Sequence, residues 1–151
     1  MHWKDYEKLI QQLLAELASP LLSGWKVQDG TVLIKGASTF DHQVDVSLHN
    51  ETSMVLIDAK CLGSPVGVND VLVLSGRKLD VQAAHPQLKV SARLVSLMHP
   101  AAGAVSLANF FDVGIDVAES VHEYATWLGS HLSIVLPENR EPSNATVTPL
   151  S

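Results

Sequence analysis

Val44-Asp45-Val46-Ser47-Leu48, the polar loop His49-Asn50-Glu51-Thr52-Ser53, and Met54-Val55-Leu56-Ile57-Asp58-Ala59-Lys60-Cys61 form the stretch from which the fold is read. Two β-branched, apolar runs around a short polar loop predict a β-hairpin. Side chains two apart in a strand share a face, so Asp58 and Lys60 project together, opposite Ile57, Ala59 and Cys61. A register that sets Val46 opposite Ile57 pairs Leu48 with Val55, Val44 with Ala59 and Asp45 with Asp58. The apolar side chains then gather on the other face. Two facing carboxylates repel and need a compensating positive charge. Lys60 supplies some of it, and a divalent cation would supply more.

Outward from the hairpin, residues 2–18 predict a helix: Trp3, Tyr6, Leu13, Leu14 and Leu17 recur at helical spacing, and Pro20 and Gly24 close it. Glu7 sits on that helix, either as a solvated face residue or as a third acid over the sheet. Trp25-Lys26-Val27 and Thr31 to Lys35 flank an Asp29-Gly30 turn signal and predict a first strand pair. The loop 36–43 contains Asp41, four residues before Asp45, which either forms an Asx-turn or approaches the same cation, and His42, a candidate proton carrier. A Gly/Pro connector, Leu62 to Gly67, leads to a helix from about Asn69, capped by Asn69 or Asp70, to Ala84, ended by His85-Pro86. Arg77 and Lys78 on it are either solvated or contacts for a phosphate backbone. Lys89 to Met98 predicts a buried strand, Pro100 to Ala108 a helix, Val113 to Val117 a strand, and Ala118 to about Ser130 a last helix. The order α–β–β–β–α–β–α–β–α predicts an α/β domain over residues 1–136, a mixed sheet with helices on both faces and parallel neighbours at the crossovers. The polar, Pro-containing residues 137–151 predict a flexible tail.

With 151 residues, 46% hydrophobic and 17% charged, the composition fits one globular domain. No run approaches the ~18 apolar residues of a membrane span. Met1 to Glu7 is charged where a secretory leader is apolar, and Cys61 is the only cysteine, so a cytoplasmic location is expected. The net charge of −6 disfavours a non-specific nucleic-acid coat. It is uneven: residues 1–93 hold nine basic against ten acidic groups, residues 94–151 only Arg140 against six acids. A polyanion would approach the N-terminal two-thirds. The histidines and the cysteine show no zinc spacing, and no Gly-x-Ser-x-Gly turn supports a serine hydrolase.

A helix carrying Glu7, Asp45 at a strand, and Asp58-Ala59-Lys60 at the end of the next resemble the PD-(D/E)xK nuclease superfamily, most closely the catalytic domains of Mrr-type restriction endonucleases. Tyr6-Glu7-Lys8-Leu9-Ile10, Asp41 four residues before Asp45, Ser64-Pro65-Val66-Gly67-Val68, and Asp70 to Gly76 are similar to successive elements of that family, over about residues 3–118. His42 and Gln43 replace the family's glycines before Asp45, and position 58 is Asp where Mrr-type domains often carry Gln or Glu.

The resemblance implies a restriction-endonuclease-like fold and a Mg²⁺-dependent endodeoxyribonuclease, with Mn²⁺ able to substitute. Asp45, Asp58 and the backbone carbonyl of Ala59 would ligate the metal. Lys60 would orient the attacking water and offset charge, and Glu7 would hold metal-bound water or a second ion. DNA would be the substrate, with Arg77 and Lys78 as contact candidates and a homodimer or a targeting partner expected. Two other readings stand beside it: a catalytically inactive DNA-binding or assembly module of the same fold, and a Holliday-junction-type resolvase.

Overall fold

The computed structural model describes residues 24–60, 64–118, 123 and 147–150. The hairpin at its centre forms from β4 (Val46–His49) and β5 (Ser53–Ala59), antiparallel, with Val46 opposite Ile57 and Leu48 opposite Val55. That is the expected register. Asn50 closes its loop, its side-chain oxygen accepting from the backbone N–H groups of Thr52 and Ser53.

Around the hairpin the sheet runs β1-β4-β5-β6-β7-β8, from β1 (Lys26–Asp29) to β8 (Val147–Leu150). Beyond β5, β6 (Lys89–Ser96), β7 (Val113–Ala118) and β8 are parallel, joined where described by α1 (Val68–Ala84) and α2 (Ala102–Phe111). The result is an α/β structure with a mixed sheet. Met54 and Leu56 of β5, Val90, Ala92 and Leu94 of β6, and Val113 and Ile115 of β7 share one face by register. They form one core with Val71, Leu74 and Val81 of α1 and Ala104 and Ala108 of α2. Hence the Asp58 face of the hairpin is as apolar as the other, on which Val46, Leu48 and Ile57 are also buried. Buried parallel strands carry apolar residues on both sides, so the apolar groups are not confined to one face as expected.

Two expectations change. Asp29-Gly30 does not turn β1 back on the following residues: β1 pairs antiparallel with β4, and the short β2 (Ile34–Lys35) pairs with β3 (Asp41–His42). Pairing with a buried central strand outweighs a local turn preference. The tail expected over 137–151 does not extend through Val147–Leu150, which pairs with β7. Pro149 is tolerated there because β8 lies at the sheet edge.

The β2–β3 ribbon is fastened to α1 through Asp80. Its carboxylate accepts from Ser38 N–H (2.8 Å) and Ser38 Oγ (2.6 Å) and meets His42 Nε2 at 2.6 Å, while the Asp80 carbonyl accepts from Ala37 N–H. The Ser38 hydroxyl first, then His42, hold the Asp80 carboxyl down at about 2. A Cβ at Gly36 would run into that carboxylate, so only glycine fits. On the sheet face away from α1, Arg93 and Asp116 form a buried, two-pronged ion pair at 2.7 and 2.6 Å, lying over Gly114. No helix among the described residues is long and apolar enough to cross a membrane. The helices expected over 2–18 and after 118 lie outside the described residues, apart from Glu123.

Candidate active site

In a sheet with parallel strands, ligands meet the carboxyl ends of those strands. Asp58 is the penultimate residue of β5, and Asp45 stands just before β4 at the same end. Buried neighbours fix both positions: Val44 and Val46 flank Asp45, and Ile57 precedes Asp58. Each carboxylate accepts a backbone N–H of the opposite strand. Asp45 N–H donates to Asp58 Oδ1 (3.1 Å), and Ala59 N–H donates to Asp45 Oδ2 (2.7 Å). Side chains thus extend the pairing where the regular ladder stops, and the facing pair read from the register is present.

Burial, then the neighbouring Asp45 charge, pushes the Asp58 carboxyl up from 3.8 to about 6, against the pull of Arg77. Arg77 Nη1 donates to Asp58 Oδ2 at 2.9 Å. The compensating charge on Asp58 therefore comes from α1, whereas the expectation gave that part to Lys60. Lys60 Nζ instead donates to Asp70 Oδ1 (3.0 Å), while its backbone N–H donates to Val95 across the sheet. Asp70 is the third residue of α1, and its Oδ2 accepts from Gly67 N–H (2.8 Å), satisfying a donor at the helix start. The helix cap is Gly67, so neither Asn69 nor Asp70 occupies that position. Asp70 and Arg77 are two helical turns apart on one side of α1, opposite in charge, and meet Lys60 and Asp58 respectively. The cluster remains partly open: side-chain exposure is 18% for Asp58 and about 30% for Lys60.

Other expected residues are placed elsewhere. Lys78 Nζ donates to the carbonyls of Phe111 and Asp112 at the end of α2, where a cation complements the helix dipole, and is 16% exposed. It ties α1 to the end of α2. Asp41 pairs with Lys35 across the β2–β3 ribbon, not with Asp45. His42 is buried against Asp80. Glu7 lies outside the described residues. Asp70 as the Lys60 partner was missed; an acid and an arginine seven apart on the helix after Asp-x-Lys were the available signal.

The site's donor set suits a hard divalent cation: two carboxylates close enough that the Asp45 charge raises the Asp58 carboxyl, with the Ala59 carbonyl adjacent in sequence. No group of three or more His, Cys, Asp or Glu side chains gathers among the described residues, so protein carboxylates alone do not complete a metal shell there.

No protein-family model matches the chain, and no curated protein matches its sequence. Among solved structures it is similar to the crystal structure of AF1548, a protein of unknown function, with 18% identity and a TM-score of 0.55. The match covers 72% of this chain and 58% of that one, a likeness of fold alone.

Proposed function

We propose that this chain is a metal-dependent DNA endonuclease of the restriction-endonuclease-like, Mrr-like type, hydrolysing phosphodiester bonds with Mg²⁺ or Mn²⁺. The observation that carries the reading is the Asp45–Asp58 pair at the strand end, locked by reciprocal backbone bonds, where burial and then the Asp45 charge raise Asp58 to about 6. Perturbed carboxyls of this kind concentrate at functional sites. The antiparallel β1–β4–β5 arm continuing into parallel β6 and β7, with α1 crossing between β5 and β6, supports the finer fold assignment.

In this mechanism Asp45, Asp58 and the Ala59 carbonyl would hold the cation, and Glu7 would add a further acid. When bound, the metal would supply Lewis acidity on the scissile phosphate and a more acidic water. Lys60, oriented by Asp70 and two residues beyond Asp58 at the end of the same strand, would offset the negative charge that builds on the phosphate. Arg77 provides a second positive group at the site's edge. The substrate is DNA, the protein acts in the cytoplasm, and a homodimer or a targeting partner supplies the second cut or the address.

A second reading, an inactive DNA-binding or assembly module, draws on the two ion pairs, which neutralise Asp58 and Lys60 within the protein itself. Incubating plasmid, linear, methylated and branched DNA with wild type, Asp58→Ala and Lys60→Ala, with and without Mg²⁺ or Mn²⁺, separates the two. Metal-dependent cutting lost in both variants supports the nuclease. Equal DNA binding by all three proteins with no cutting supports the module.

A further inference from the structure

We infer that Arg77 is a built-in counter-cation, which holds Asp58 while no metal is bound and is displaced when a divalent cation arrives, freeing its guanidinium for a DNA phosphate. This deepens the nuclease reading and rests on it. Both oxygens of Asp58 are engaged, but unequally. Oδ1 accepts from the Asp45 backbone N–H, a bond set by the hairpin register. Oδ2 accepts from the end of a long, flexible side chain that is 29% exposed. A cation held by Asp58 would compete with the donors already on its oxygens, and of the two only Arg77 can move away without opening the hairpin.

Like charges then act in the same direction. A divalent ion beside Oδ2 repels the guanidinium at contact distance. Asp70, the other acid on this side of α1, already accepts from Lys60 through Oδ1 and from Gly67 through Oδ2. The displaced guanidinium therefore turns towards the open side of the site, from which a phosphate backbone would approach. A planar, five-donor guanidinium suits both tasks, since it binds carboxylate and phosphate oxygens alike.

The test is calorimetric titration of Mn²⁺ into wild type and Arg77→Gln at about pH 8, where Asp58 is ionised. Removal of the competitor should tighten Mn²⁺ binding roughly two- to fivefold, the fold-change that a partly exposed ion pair corresponds to. Duplex binding should also be stronger in Ca²⁺ than in EDTA for wild type, and that difference should shrink in Arg77→Gln. A third measurement needs no folded variant: the Arg77 side-chain NMR signals of wild type should shift as Mg²⁺ is added. If wild type binds Mn²⁺ and cuts DNA but Arg77→Gln binds the ion no more tightly, or the Arg77 signals stay fixed, the displacement fails and the nuclease stands. If wild type binds no Mn²⁺, both fall.

Discussion

Replacing Asp58 by Asn should make the metal-free protein more stable at neutral and alkaline pH, although it removes one arm of an ion pair. The Asp58 carboxyl is 18% exposed and lies beside Asp45, and folding lifts it from 3.8 to about 6. The folded state therefore binds this proton more tightly than the unfolded chain. Its contribution to stability is full below about pH 4 and is lost as pH rises through about 6. Above that, ionised Asp58 costs the fold about 3 kcal/mol relative to the protonated form, at 1.36 kcal/mol for each unit. The pull of Arg77 is already contained in that figure. Asp58→Asn keeps an oxygen to accept the Asp45 N–H and removes the charge. Urea denaturation without divalent ions should show Asp58→Asn more stable than wild type by about 1–3 kcal/mol at pH 8, with the gap closing towards pH 4. A variant less stable than wild type at pH 8, or a gap that does not change with pH, would refute the reasoning.

Lys60→Ala should reduce cleavage about a hundredfold or more. Its stability should change by less than about 1 kcal/mol in the same urea assay, because the Lys60–Asp70 pair is partly exposed. Gly114→Ala places a Cβ 2.6 Å from Arg93 Cζ and should force the guanidinium off Asp116. Because that pair is buried, a loss of about 2–4 kcal/mol is expected, read by denaturation; a loss under about 1 kcal/mol would mean that the sheet yields without disturbing it. Gly36→Ala drives a methyl into the Asp80 carboxylate that Ser38 and His42 share. Amide exchange at Ser38 and Phe40 should accelerate, and unchanged protection there would show that the ribbon is held some other way.

The hairpin was legible because its code is strict. In β4 the apolar Val46 and Leu48 alternate with Ser47 and His49, so a one-residue slip would turn them away from Ile57 and Val55, their partners in the register observed. Asp45 and Asp58 followed from it. The helix from Val68 to Ala84 and the parallel pairing of β5, β6 and β7 were legible from periodicity and connection length. What escaped depends on contacts distant in sequence. Asp29-Gly30 carries a turn signal, but β1 gains more by lining Val27 against Leu48 on β4. Val147–Leu150 is four residues with a proline, too short to announce a strand, and is in the sheet because β7 offers an edge. The exchange of partners, Arg77 to Asp58 and Lys60 to Asp70, depends on where α1 crosses the strand ends, which side-chain alternation in β5 does not encode. Arg77 and Lys78 read alike as solvated or phosphate-facing, yet one step around a helix turns a side chain by about 100°, here taking Lys78 to the end of α2.

The central claim is that Asp45 and Asp58 form a cation-dependent centre for cutting DNA. It is tested most directly by the nicking of supercoiled plasmid by purified wild type and Asp45→Asn, in Mg²⁺ and in EDTA. Wild type should nick only with the metal, and Asp45→Asn should lose about a hundredfold or more while folding and binding the plasmid normally. Nicking that persists undiminished in Asp45→Asn, or a folded wild type that binds plasmid and leaves it intact in both Mg²⁺ and Mn²⁺, would contradict it.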